Sequence, residues 1–138
     1  MIIKIEDGLN FDEYNNLRRS IGWDLKDVNT VELAIKNSTI VKKAICDDKV
    51  IGMSRVIGDG IYYLIVDVVV NPKYQKKGIG KKLMTEIINE IENRTPKGQS
   101  CSITLMSMNG KEKFYEMCGF KKIPFGHTGY GMIKKITK

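Results

Sequence analysis

The chain has 138 residues, of which 42% are hydrophobic and 28% are charged. This length and composition predict one domain, residues 1–138, that is globular rather than disordered. No apolar run is long enough to span a bilayer, and the first residues, MIIKIEDG, lack the apolar region of a secretion signal. We therefore expect neither a membrane protein nor a secreted one.

The net charge indicates the class of partner, and the cysteines bear on metal binding and on the cellular compartment. The formal charge of +7 favours an anionic partner. The excess is mostly lysine, whereas sequence-specific DNA readers depend on bidentate arginine, so no specific nucleic-acid partner is expected. The three cysteines are an odd number without CxxC spacing, and with the single His127 they offer no metal site. Such cysteines predict reduced thiols in a cytoplasmic protein.

The first part of the chain predicts a strand and two helices. IIKIE (2–6) alternates apolar and charged residues, as a short strand does. Asn10 with Glu13 three residues later is a capping box that begins a helix. Asn29 and Glu32 repeat this spacing and predict the cap of a second helix.

The middle of the chain predicts three strands joined by turns. CDDK (46–49) and GDG (58–60) are hairpin turn signals. The run 61–70 is rich in β-branched and aromatic residues and nearly continuous, which is typical of a strand buried on both faces. Pro72 ends it.

The last part of the chain begins with a change to helical periodicity. From Gly78 the apolar residues recur every four positions, which predicts an amphipathic helix that ends at TPKG (95–98). CSITLMS (101–107) predicts another buried strand, and GKEKFYEMCGF (110–120) predicts a short helix. A last pair of short strands is expected at 121–124 and 131–135. The order of elements predicts an α+β fold, with helices on a mixed, mostly antiparallel sheet.

The segment NPKYQKKGIGKKLM (71–84) combines glycines, lysines and a helix start, which together suit a phosphate group. A P-loop is excluded, because Gln75 stands where its first glycine belongs and Lys82 where a Ser or Thr must bind magnesium. A Rossmann turn is disfavoured, because Leu83 replaces the third glycine of its fingerprint.

Two motifs carry a resemblance to a known family. VDVVVNPKYQKKGIGKKLM resembles the acetyl-CoA signature of the GNAT superfamily of N-acetyltransferases, with Gln75, Gly78 and Gly80 in order and spacing. GKEKFYEMCGF resembles the second signature of that family, and GYGM (129–132) is similar to the tail of small bacterial members. The resemblance implies the GNAT fold, whose sheet splays between its fourth and fifth strands to admit the cofactor.

The resemblance also implies how acetyl-CoA, the co-substrate, would be held. Backbone amides beside glycines approach phosphate oxygens closely, and lysines neutralise the remaining charge. The pantetheine arm would pair with the backbone of the fourth strand like an added strand. The cofactor-binding residues expected on this basis are Val68, Val69, Val70, Gln75, Lys76, Lys77, Gly78, Ile79, Gly80 and Lys81.

Acetyl transfer to an amine requires a base, donors for the oxyanion and a proton for the departing thiolate. By resemblance, Tyr115 is the tyrosine whose hydroxyl lies near the cofactor sulfur. The backbone N–H of Val69 or Val70 is the expected oxyanion donor. Asp67 stands in an apolar run, so it must be paired, protonated or functional, and it is a candidate base. His127 and a water chain are the alternatives.

The sequence predicts a cytoplasmic N-acetyltransferase that acts by direct attack in a ternary complex. The expected acceptor is the primary amine of a small molecule. In this family the N-terminal helical region lines one side of the acceptor site. Trp23 in that region is either a residue of the acceptor pocket or an ordinary core residue. Acetylation of protein lysine or of an N-terminus, and a non-catalytic CoA sensor, remain alternatives. The sequence leaves the oligomeric state open between a monomer and a homodimer.

Overall fold

The computed structural model describes all 138 residues, which divide into two compact units, Met1–Met106 and Ser107–Lys138. The first unit contains β1 (Lys4–Asp7), α1 (Phe11–Ser20), α2 (Val28–Lys36), β2 (Ile40–Cys46), β3 (Lys49–Gly58), β4 (Tyr62–Val70), a 3₁₀ turn (Pro72–Tyr74), α3 (Ile79–Arg94) and β5 (Ser102–Leu105). The second unit contains α4 (Glu112–Met117). None of these helices is long and apolar enough to cross a membrane.

The five strands form one sheet in the order β1-β2-β3-β4-β5. Every pair is antiparallel except β4 with β5, which is parallel. β5 pairs with β4 only over Tyr62–Ile65, although β4 continues to Val70. The predicted α+β class and the splay between the fourth and fifth strands are therefore confirmed.

A bulge in β4 lies where this splay begins. In the register with β3, Arg55 lies opposite Asp67 and Val56 opposite Ile65, so Val66 is the extra residue. A bulge bends its strand and increases the local twist. The pairing of β4 with β5 ends one residue earlier, at Ile65, so the bulge directs the second half of β4 away from β5.

The sheet is covered on both faces, because successive residues of a strand point to opposite sides. Met53 and Val69 pack with residues of α1 and α2, including Tyr14 and Leu17. The next residue of β4, Val70, packs on the opposite cluster, which contains residues of α3. The two clusters fix β4 and the start of α3 relative to each other.

Local sequence signals predicted most of the turns and caps. Asn10 and Glu13 form the predicted capping box of α1. The turn after β2 has both aspartates, Asp47 and Asp48, at positive φ, as a two-residue hairpin turn requires. The predicted N-cap of α2 was wrong by two residues. It is Asp27 rather than Asn29, and Asp27 accepts a hydrogen bond from the hydroxyl of Thr30.

Three predictions about strands were wrong. β4 is not fully buried on both faces, because Tyr62 and Leu64 are exposed and Val70 is half-buried. β5 alternates between exposed and half-buried residues and is not a buried strand. The last two strands, expected at 121–124 and 131–135, do not form. β-branched and apolar runs indicate strand propensity, but pairing and burial depend on neighbours that are distant in sequence.

Candidate functional site

The loop between β4 and α3 has an unusual backbone. Asn71 accepts a hydrogen bond from the amide of Lys73 and begins the 3₁₀ turn. Lys76 and Gly78 both have positive φ, +61° and +81°. When residues in the left-handed conformation alternate with residues in the right-handed one, successive backbone N–H groups point to the same side and form a concave anion-binding site. Glycine is favoured at Gly78, because a side chain strains this conformation.

The N-terminus of α3 leaves backbone donors without partners in the helix. The first intrahelical bond runs from the amide of Lys82 to the carbonyl of Gly78, at 3.1 Å. No side chain caps this end, so the amides of Ile79, Gly80 and Lys81 remain available. The surrounding lysines have exposed side chains: Lys76, Lys77, Lys81 and Lys82. The helix end, its dipole and these cations together suit a pyrophosphate.

The second half of β4 presents an open backbone edge. The amide of Asn71 donates to the carbonyl of Ile51 on β3, at 2.8 Å. Backbone direction alternates along a strand, so Val69 also faces β3, whereas Val68 and Val70 face the side that β5 has left. The side-chain amide of Gln75 donates to the carbonyl of Val70, at 2.8 Å. Of the two candidate oxyanion donors, Val70 is therefore the one with its N–H on the open edge.

Except for Val69, whose backbone faces β3, the predicted cofactor residues of β4, the loop and α3 thus follow one another along one surface. One end offers unpaired amides and positive charge, and the other offers a free strand edge. Coenzyme A has a matching order of groups, with phosphates at one end and an arm containing amides that leads to the thiol. The order of amides, cations and strand edge on this surface matches that order of groups.

Asp67 is buried, with 5% of its surface exposed, and is paired. One carboxylate oxygen accepts from the Tyr14 hydroxyl at 2.8 Å and from Arg55 Nε at 2.9 Å. Burial raises the pKa of the Tyr14 phenol, and the charge of Asp67 and the hydrogen bond to it raise it further. Tyr14 therefore stays protonated and donates to Asp67.

The Tyr14 and Arg55 partners of Asp67 were missed from the sequence. Arg55 Nη1 also donates to the hydroxyl of Ser38 at 3.1 Å, so the guanidinium is fixed at two points. One signal was available, since Arg55 is a lone arginine on the strand that pairs with β4, directly opposite Asp67. The pairing satisfies the buried charge of Asp67, and a role as base stays a prediction.

The segment after α1 holds the candidate acceptor residue Trp23. Its ring is half-buried and packs against the cluster beneath α1 and α2. The guanidinium of Arg18 lies 5.2 Å from the centre of this ring and 5.7 Å from that of Tyr14. Leu25 beyond it is 48% exposed. Trp23 thus contributes to the core and also borders the surface.

Tyr115 belongs to the second unit, where it lies on α4 as predicted. Its ring is half-buried and makes edge contacts with Phe114 and Phe120, at centroid distances of 5.0 and 6.3 Å. Burial raises the pKa of the Tyr115 phenol, with a smaller contribution from Cys118. The hydroxyl therefore carries its proton at neutral pH. His127, the other candidate in this unit, is exposed.

A family model, related sequences and a solved structure all match this chain to acetyltransferases. A family model described as an acetyltransferase (GNAT) domain matches residues 37–122. The chain is 29% identical to GCN5-related N-acetyltransferase 1, chloroplastic, of Arabidopsis thaliana, over 98% of this chain and 68% of that protein. It is 31% identical to the N-acetyltransferase ycf52 of Pyropia yezoensis, over 88% of this chain and 70% of that protein. A crystal structure from methicillin-resistant Staphylococcus aureus, described as a probable acetyltransferase, superposes with a TM-score of 0.83 at 28% identity, covering 97% of this chain and 100% of that one.

Proposed function

The chain belongs to the GNAT family of acetyltransferases, which use acetyl-CoA as co-substrate, and we propose that its acceptor is the primary amine of a small molecule. The observation that carries the cofactor site is the open edge of β4 leading into the unpaired amides of α3. What supports a small acceptor is the half-buried ring of Trp23, which borders the surface after α1, with the exposed side chain of Leu25 two residues later.

The proposed mechanism is direct attack of the amine in a ternary complex. Acetyl-CoA supplies a thioester carbonyl, whose C–S bond breaks as the new C–N bond forms. The N–H of Val70 stabilises the negative charge that develops on the carbonyl oxygen. The hydroxyl of Tyr115 gives its proton to the departing sulfur. The loop from Gln75 to Lys81 holds the phosphates and so fixes the position of the thioester.

The attacking amine must lose a proton, and we propose that Asp67 assists by binding or deprotonating it. Asp67 lies one residue before Val68 on the open edge, and one carboxylate oxygen accepts both recorded hydrogen bonds. A water chain ending at this carboxylate is the alternative path. We further propose a cytoplasmic location, as the reduced cysteines suggest, although the Arabidopsis relative is named chloroplastic.

Acetyl-CoA is expected to raise the melting temperature of the chain, because a ligand that binds only the folded state stabilises it. The shift should shrink as salt is added, since exposed lysines contribute much of the phosphate attraction. Thermal melts with and without acetyl-CoA, at low and high salt, test this. If saturating acetyl-CoA leaves the melting temperature unchanged, the proposed cofactor site is wrong.

Replacing Gly80 with glutamate is expected to weaken acetyl-CoA binding at least about tenfold, roughly 1.4 kcal/mol. The new carboxylate would lie at the amides that face the phosphates. Asn89→Glu is the matched control, because it adds the same charge to an exposed position of α3 about 13 Å further along the helix. Calorimetric titration of both variants decides the point, and equal affinities would mean that this helix end does not hold the cofactor.

A second candidate function is acetylation of protein amines. A Glycine max relative named histone acetyltransferase TAP1 is 30% identical over 79% of this chain and 51% of its own length. A screen of acetyl-CoA with small amines and with lysine peptides separates the two candidates. Turnover of either kind also excludes the non-catalytic CoA sensor.

A further inference from the structure

Arg18 on α1 is a half-buried cation without an anionic partner, since none of the ion pairs of the chain includes it. Its Nε donates to the carbonyl of Asp24 at 2.6 Å, and its Nη1 donates to the hydroxyl of Tyr14 at 3.4 Å. These two bonds leave Nη2 without a partner. An arginine withdrawn from solvent is usually paired, so the guanidinium of Arg18 is held in place with donors left for a ligand.

The hydroxyl of Tyr14 separates Arg18 from the buried pair of Asp67 and Arg55. It accepts from Arg18 and donates to Asp67 at 2.8 Å. The guanidiniums of Arg18 and Arg55 lie 5.7 and 5.8 Å from the centre of the Tyr14 ring. The cluster therefore holds two guanidinium charges against one carboxylate. An acceptor that carries an anionic group beside its amine balances this excess of positive charge, whereas a simple alkylamine does not.

One oxygen of Asp67 has room for the amine. Its Oδ2 accepts from both Tyr14 and Arg55, and its other oxygen has no hydrogen-bond partner in the chain. Ser54 Oγ is the one side-chain polar atom that is both fully buried and unpartnered. The free oxygen of Asp67 therefore keeps contact with solvent, and an ammonium group that binds it lies one hydroxyl away from Arg18.

We propose that Arg18 determines the specificity for the acceptor and that the acceptor is an amino acid. Its carboxylate binds Arg18, and its amine binds the free oxygen of Asp67. The planar fork of arginine matches a carboxylate with two parallel hydrogen bonds. One negative charge also balances the excess of the cluster, which a doubly charged phosphate would exceed. Because one hydroxyl separates the two ends of the site, the amine and the carboxylate must lie only a few bonds apart.

This inference rests on the proposed function, because it names the class of small amine that the same site takes. The product is an N-acetyl amino acid. The C–N bond forms as the C–S bond of acetyl-CoA breaks. Of the two protons that the ammonium group gives up, one balances the thiol of coenzyme A and the other goes to solvent.

Matched acceptors measure the contribution of the carboxylate. The probes are the common amino acids, each compared with its carboxamide and with the amine that remains when the carboxylate is removed. For the best amino acid, kcat/KM should exceed that of both analogues at least about tenfold, as expected for hydrogen bonds between charged groups. The intact chain is used throughout, at saturating acetyl-CoA.

Arg18→Gln tests whether Arg18 provides this preference. It should lower kcat/KM for the amino acid at least about tenfold and leave the carboxamide nearly unchanged. If Arg18 only supports the rings of Tyr14 and Trp23, both acceptors should lose equally. Arg19→Gln is the matched control, because it removes the same charge from the next residue of α1, which is exposed and donates to Asn16. It should keep the preference.

The fluorescence of Trp23 gives a measurement that needs no turnover. Trp23 is the single tryptophan of the chain, and the guanidinium of Arg18 lies 5.2 Å from its ring centre. With coenzyme A bound, which has no acetyl group to transfer, the amino acid should change this fluorescence saturably. The carboxamide should require at least about tenfold more, and Arg18→Gln should abolish the difference. Circular dichroism and the melting shift with acetyl-CoA confirm that the variant is folded.

The outcomes separate this inference from the proposed function. Equal kcat/KM for amino acids and their carboxamides would overturn the inference and leave small-amine acetylation standing. So would a preference that survives in Arg18→Gln. Turnover of lysine peptides alone would contradict both. Faster turnover of an aminophosphonate than of the matching amino acid would overturn the assignment of a carboxylate.

Discussion

The Asp67→Ala variant is expected to lose about 3–5 kcal/mol in free energy of unfolding, because it leaves a buried charge without its partner. The Arg55 side chain is only 11% exposed, and its Nε donates to Asp67 at 2.9 Å. The hydroxyl of Tyr14 loses its acceptor as well. Urea unfolding followed by circular dichroism measures the difference from the intact chain.

The control for this variant removes the whole polar group. Tyr14→Phe, Arg55→Met and Asp67→Leu together leave no unpaired charge, and replacing a complete buried pair with apolar residues is often neutral. The triple variant should therefore recover most of the lost stability. If Asp67→Ala itself costs less than about 1 kcal/mol, as exposed pairs do, Asp67 and Arg55 are not a buried ion pair.

The triple variant also separates two roles of Asp67. It is expected to keep the fold while lacking the carboxylate. If Asp67 binds or deprotonates the amine, this folded variant should bind acetyl-CoA normally and turn over slowly. Normal turnover in the triple variant would assign deprotonation to water and leave Asp67 a purely structural residue.

Tyr115→Phe is expected to lower kcat about a hundredfold, at the low end of the usual range for a general acid. The substitution keeps the ring and its contacts with Phe114 and Phe120 but removes the proton. The loss should appear in kcat more than in acetyl-CoA affinity, because the proton is needed as the C–S bond breaks. Steady-state kinetics with an acceptor amine, and a separate binding titration, measure both quantities.

Two controls make the interpretation of Tyr115→Phe specific. Tyr63→Phe removes the hydroxyl of a buried tyrosine on β4 and should leave kcat unchanged. An acyl donor with a more acidic thiol should reduce the defect of Tyr115→Phe, since that leaving group needs the proton less. A kcat within about twofold of the intact chain, far below the general-acid range, would make Tyr115 a packing residue.

Several features could be predicted from the sequence because their causes are local. The capping box of Asn10 and Glu13 involves groups three residues apart. The Asp47–Asp48 turn and the start of α3 at Gly78 are likewise set by backbone preferences of a few neighbouring residues. The loop that carries the candidate phosphate site was predictable for the same reason.

Other features depend on partners far away in sequence. Tyr14 reaches Asp67 across 53 positions, and no local pattern indicates that contact. The bulge at Val66 follows from the register with β3, which a run of β-branched residues does not specify. Residues 131–135 have strand periodicity but form no strand, so propensity alone gave the wrong structure there.

The proposal of a small-molecule acceptor is tested most directly by acetyl-CoA turnover with a panel of amines. The panel contains small primary amines with apolar and polar bodies, lysine peptides and a blank, and mass spectrometry identifies the acetylated product. We expect thiol release that requires a small primary amine and yields one acetylated amine for each thiol, with no acetyl group left on the enzyme. Acetylation of the lysine peptides alone, with no small amine turned over, would contradict the proposal.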